Sequence, residues 1–145
     1  MRSLLYDIYP QGIDTTFQRQ LNRLPQVMYP LLTAVAVAGA EIDPDLLTQL
    51  VDDLGYPFTS KQWLIASVSA ALVEMEDDQP RFADEALRLF LLAALSENEK
   101  KHWHLKIITA LQAIYPDDLG QAAALAFHWQ QVGHEAQEQK YARLA

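Results

Sequence analysis

Five glycines and seven prolines are the strong breaks in a 145-residue chain otherwise dominated by Leu, Ala and Gln. This punctuation constrains the fold more than any motif, because good helix formers with few β-branched clusters default to helix. The breaks place expected helices near 14–23, 25–38, 44–54, 60–76, 81–95, 98–114, 118–132 and 134–144. Several starts carry cap chemistry. Asp43-Pro44 sets a capping carboxylate before a proline at the first helical position. Thr59 is placed to cap the 60–76 helix, and Ser96 with Glu99 forms a capping-box pattern for the next. Tyr9, Tyr29, Tyr56 and Tyr115 each precede a proline. After a helix, such a residue is pushed out of helical geometry. At Tyr29-Pro30 the helix is expected to start late or to kink.

Half of the residues are hydrophobic, enough for one domain to bury its own core. The expected class is all-α: stacked antiparallel helical hairpins, as a solenoid or a compact bundle, in a single domain spanning 1–145. Its layout is an N-terminal arm (1–13), hairpins near 14–54, 59–95 and 98–132, and a C-terminal helix (134–144). There is no cysteine, which closes zinc-ribbon, thiol-redox and cysteine-nucleophile chemistry. The start MRSLLYDIYPQGID does not read as a signal peptide, since Asp7 and Pro10 break its short apolar run. VMYPLLTAVAVAGA (27–40) is too short to span a bilayer. A soluble, cytoplasmic protein without membrane contact is expected.

The net charge of −8 is unevenly spread. Residues 41–99 hold thirteen Asp/Glu against Lys61, Arg81 and Arg88, a local −10, while each flank carries +1. An acidic middle without a basic stripe argues against nucleic acid as the partner.

Sliding the sequence against itself gives a match at an offset of 40, where KQWLIASVSAALVEMEDDQPRFADEA (61–86) aligns with KHWHLKIITALQAIYPDDLGQAAALA (101–126). Identities include Lys61/Lys101, Trp63/Trp103, Asp77/Asp117 and Asp78/Asp118. Trp63 and Trp103 are therefore expected at equivalent buried positions in consecutive hairpins. Within KHWHLK (101–106), histidines two apart on a helix point about 200° apart, so His102 and His104 do not share one metal.

Glu99 and His102 form E-x-x-H, the i, i+3 unit of di-iron bundles, but that chemistry needs two such units and two further glutamates. Capping explains Glu99 better, and His128 and His134 read as a helix-junction pair across Gly133. The pairs Asp52-Asp53, Asp77-Asp78 and Asp117-Asp118 sit at helix ends or turns, where a structural role is favoured over acid–base work. No nucleophile elbow, phosphate loop or H-E-x-x-H occurs. No catalytic residue, metal or cofactor is expected. The 60–76 stretch is apolar on nearly every side through Trp63, Leu64, Ile65, Val68, Leu72 and Val73, as a helix buried on two sides would be.

EALRLFLLA (85–93), with Ala86, Phe90 and Ala93, together with Ala123 and Phe127, resembles the second helix of tetratricopeptide-type α-hairpin repeats. GHEAQEQKYARLA (133–145) is similar to a terminal helix of such arrays. The period is 40 rather than the family's 34, the closing proline is missing after 93, and the first-helix Leu-Gly pair is absent. In size and acidity the chain is also similar to small bacterial secretion chaperones of this repeat class. The resemblance implies a peptide- or protein-binding superhelix with no chemistry of its own, acting as an adaptor or cytosolic chaperone. The groove expected on the first helices is the stripe Gln62, Ala66, Ser69 and Val73, continued by His102, Lys106 and Thr109. Two alternatives stand beside this reading. One is a homo-oligomeric structural module whose aromatic surplus forms a homodimer core. The other is a small all-α enzyme or metal carrier using Glu99, His102 and His128.

Overall fold

A computed structural model of the chain describes residues 15–116 and 119–145. The protein is mostly helical with one small strand pair, an all-α compact fold. Residues 15–21 form helix α1, and a 3-10 turn at Gln26–Met28 leads into α2 (Tyr29–Ala38). Then come α3 (Pro44–Leu54), α4 (Ser60–Ser69), β1 (Val73–Glu76), β2 (Gln79–Phe82), α5 (Glu85–Ala93), α6 (Glu97–Ile114), α7 (Ala122–Val132) and α8 (Glu135–Leu144). Among the described residues no helix is long and apolar enough to cross a membrane. The arm at 1–13 and the pair Asp117-Asp118 lie outside the described residues.

The helix starts follow their local chemistry. Asp43 caps α3 by accepting from the Asp45 and Leu46 amides at 2.9 and 3.4 Å. Gly55 ends that helix in the left-handed conformation that glycine adopts without strain. Thr59 and Gln62 form a reciprocal capping box on α4, and Ser96 and Glu99 form another on α6. Helix α2 does start late, at Tyr29.

The largest departure from expectation is at 60–76. The helix stops at Ser69, and Ala71 takes a left-handed φ of 61°. The Ala71 and Leu72 amides donate back to the Val68 and Ser67 carbonyls, which is a Schellman ending with alanine in the usual glycine position. The chain then folds into the β1–β2 hairpin, with Glu76 opposite Gln79. The two-residue turn Asp77-Asp78 has φ of 52° and 65°, the pair of positive values that a type I′ turn requires. Strand β2 also pairs on its other side with 40–42, through an isolated bridge between Glu41 and Arg81. Ile42 N–H donates to Pro80 O at 2.9 Å, but proline has no N–H with which to reciprocate. Gln79 Nε2 does so instead, donating to Ile42 O at 2.6 Å.

Residues 29–82 thus form one unit of α2, the bridged segment 40–42, α3, α4 and the hairpin, with β2 paired on both sides. Its core includes Leu31, Leu32, Leu47, Leu50, Trp63 and Leu72, each fully buried. The Trp63 indole N–H donates to Met28 O at 3.0 Å. Beyond this unit, α5 docks on α2, where Arg88 Nε reaches Ala36 O at 2.9 Å. The long α6 packs on α2 and α3, and α6, α7 and α8 then pack in chain order.

The offset-40 match therefore does not join like with like. Residues 61–86 run helix, hairpin and helix start, whereas 101–126 run helix, turn and helix. Both indoles are buried, at 0% and 9% exposure, but Trp63 is the fourth residue of α4 and Trp103 the seventh of α6.

Candidate functional site

Two places on the molecule carry side chains that the core does not explain: the outer face of α4, and the seam between α6 and α7.

On α4, Lys61, Gln62, Ile65, Val68 and Ser69 are exposed. Ile65 and Val68 are 59% and 40% exposed, one turn apart on the same side of the helix. Both were expected in the core of a two-sided buried helix. They are outside because α4 rests mainly on α3 and β1, leaving one flank open. Ala66 is half-buried, and Val73 is not on this helix at all: it lies buried in β1 opposite Phe82. The expected stripe therefore survives as Gln62, Ala66 and Ser69 and loses Val73. Beside it, the hairpin exposes Glu74, Met75, Glu76, Asp77 and Asp78. One of these carboxylates, Glu76, is bridged by Arg81 at 2.9 Å.

The second half of the expected stripe, His102, Lys106 and Thr109, is exposed along α6. Thr109 turns its hydroxyl back to Leu105 O at 3.0 Å, and His102 lies edge-on to Trp103. The main packing partners of α6 are α2, α3 and α7, and those of α4 are α3 and β1. The two stripes thus belong to different units of the fold.

The seam between α6 and α7 holds the histidines. His104 and His128 are 6% and 3% exposed, with Nδ1 atoms 2.7 Å apart. Phe127 closes on the His104 ring edge-on, at 5.8 Å between centroids. At that separation one nitrogen donates and the other accepts, so the neutral pair consists of two different tautomers. Burial pushes the His104 ring down to about 4, with Lys100 adding to the effect. Burial, then the neighbouring His104, pushes His128 down to about 4. The pairing escapes sequence reading because it spans 24 residues. A usable signal was present all the same. Each histidine falls on its own helix's apolar stripe, beside Ile107, Ile108 and Leu111 on α6 and with Ala122 and Leu125 on α7.

The residues of the metal-carrier reading are dispersed. Glu99 accepts from Ser96 N at 3.0 Å, and its carboxyl is held below the usual range by the Ser96 backbone and hydroxyl bonds. His102 is outside and His128 inside. His134 caps α8 by accepting from Gln137 N at 3.3 Å and meets Trp129 edge-on. Among the described residues no group of three His, Cys, Asp or Glu is placed to hold a metal ion. A groove of about 670 Å³ lies between α1 and the start of α2, and among the described residues of its lining Tyr29 is the one titratable side chain.

Comparison with protein-family models, with curated proteins and with solved structures found no match to this chain.

Proposed function

We propose that the protein is a non-catalytic protein-binding module, an adaptor or chaperone, and that it docks its partner on the outer face of α4. The observation that carries this reading is the pair Ile65 and Val68, exposed on a helix whose opposite face is fully committed to the core. Gln62 and Ser69 offer hydrogen bonds alongside. In helix-turn-helix proteins the second helix of the pair enters the DNA major groove. Here that helix exposes a single charged residue, Lys61, and adjoins the carboxylates of Glu74, Glu76, Asp77 and Asp78. Such a face lacks the cationic side chains that phosphate contacts need. It suits a protein segment that presents an apolar ridge flanked by Lys or Arg.

Ile65→Glu and Val68→Glu test this, because both positions are open to solvent and tolerate charge without loss of folding. Each is expected to abolish partner capture at an unchanged melting temperature, and raised salt is expected to weaken capture by the native protein. Capture that persists in both variants excludes α4 as the docking face. A dimeric mass by light scattering, lost in the same variants, would assign the face to a second copy of this chain.

A further inference from the structure

We propose that His104 and His128 form a proton-operated latch on the seam between α6 and α7, closed while the rings share at most one proton and opened when both are charged. The argument begins with geometry. Two Nδ1 atoms at 2.7 Å need one hydrogen between them. A second proton places two donors face to face, which turns a hydrogen bond into a repulsion. Both rings are buried, so two charges there are poorly screened by solvent.

Among the described residues, no carboxylate acts on either ring. Helices α2 and α7 bring no charged residue to the seam apart from His128 itself, and the nearby charge on α6 is the like-signed Lys100. On α3, Asp45, Asp52 and Asp53 are exposed, and its cap Asp43 is held by Tyr115. On α8, Glu135, Lys140 and Arg143 are exposed and Glu138 is half-buried. The outer residues of α6 (Glu97, Glu99, Lys101, His102 and Lys106) point to solvent.

The direction of the effect follows. A histidine lowered from 6.5 to about 4 in the fold binds protons more readily once the seam opens. The closed state is therefore fully favoured above pH 6.5 and loses ground as pH falls toward 4. Helix α8 packs on α7, so opening releases 122–144 together, while the 29–82 unit holds no part of the pair.

Hydrogen-exchange protection factors measured between pH 7 and 4.5 test this in the full chain. The amides of α7 and α8 are expected to lose protection by about 10- to 100-fold relative to those of α3 and α4. The double variant His104→Leu/His128→Leu is expected to remove that loss, and His128→Gln, which keeps a hydrogen-bonding side chain but cannot charge, to reduce it. The two variants cover each other if one fails to fold. Loss of protection that is equal in both halves of the protein, or unchanged in the variants, overturns the latch.

Discussion

The 29–82 unit and the α6–α8 segment are both helical, yet they are held together by different means. In the first, both ends of α3 and the start of α4 are fixed by local chemistry, and the inside is mostly apolar, with Thr33 and Ser67 as its buried polar residues. In the second, the 18-residue α6 and the shorter α7 and α8 lie side by side, and the seam between α6 and α7 holds a polar pair, with the Trp129 indole N–H buried and unpartnered nearby. A unit of the first kind is stabilised by apolar burial and is indifferent to moderate acid. A seam of the second kind depends on protonation state. The difference teaches that helical content alone says little about which part of a fold conditions will loosen.

The strongest way to break the comparison is Trp63→Ala. It empties a fully buried site under α4 and strands the Met28 carbonyl that the indole now satisfies. A loss of about 3–5 kcal/mol is expected, a large share of a small domain's stability. Urea unfolding measures it, and a loss under 1 kcal/mol would show that the unit is not centred on this residue.

A smaller effect concerns the tie between the two regions. Asp43 caps α3 with Oδ1 and accepts from the Tyr115 hydroxyl at 2.9 Å with Oδ2. Asp43→Ala removes both and should lose about 2–3 kcal/mol, combining a helix cap and a charge-assisted bond. Tyr115→Phe removes only the second and should lose about 1 kcal/mol. A double-mutant cycle checks that the two share one interaction. The same bond, with burial, pushes Tyr115 up to about 12 from its ordinary 10. Its contribution is full below pH 10 and fades as pH rises toward 12, a trend that Tyr115→Phe should abolish.

How much of this was legible depends on where each cause resides. The α3 limits were readable because Asp43-Pro44 and Gly55 state them in residues adjacent to the helix. The Thr59 cap of α4 and the capping box of α6 were readable for the same reason. The hairpin was not. Its strands have four residues each, its turn is Asp-Asp rather than the Asn-Gly that signals type I′, and Pro80 argues against a central strand. What permits that proline is Gln79 reaching Ile42, a contact across 37 residues. The histidine pair is hidden likewise. Both rings lie on the apolar stripes of their helices, but only the packing of α6 against α7 brings them together. The outer face of α4 was half legible: its polar members could be read off the helix, but the exposure of Ile65 and Val68 depends on where the helix stops.

The smallest expected effect sharpens the comparison at that stopping point. Ala71 ends α4 with a φ of 61°, a conformation that crowds Cβ against the following carbonyl. Glycine enters this region freely, though it gains more freedom in the unfolded chain than alanine does. Strain relief of about 1–2 kcal/mol against an entropic loss of about 0.5–1 kcal/mol leaves Ala71→Gly more stable by several tenths to about 1 kcal/mol. At ordinary helix positions the same substitution destabilises by about 1 kcal/mol. The sign is therefore diagnostic, and paired urea titrations resolve it. Ala66→Gly, in the middle of α4, is the matching control and should move the midpoint the other way. If both variants lose stability alike, residue 71 is helical in solution and α4 continues toward 76. Ile65 and Val68 would then need a different account of their exposure. A gain at 71 with a loss at 66 fixes the helix end, the hairpin after it and the open face before it in one measurement.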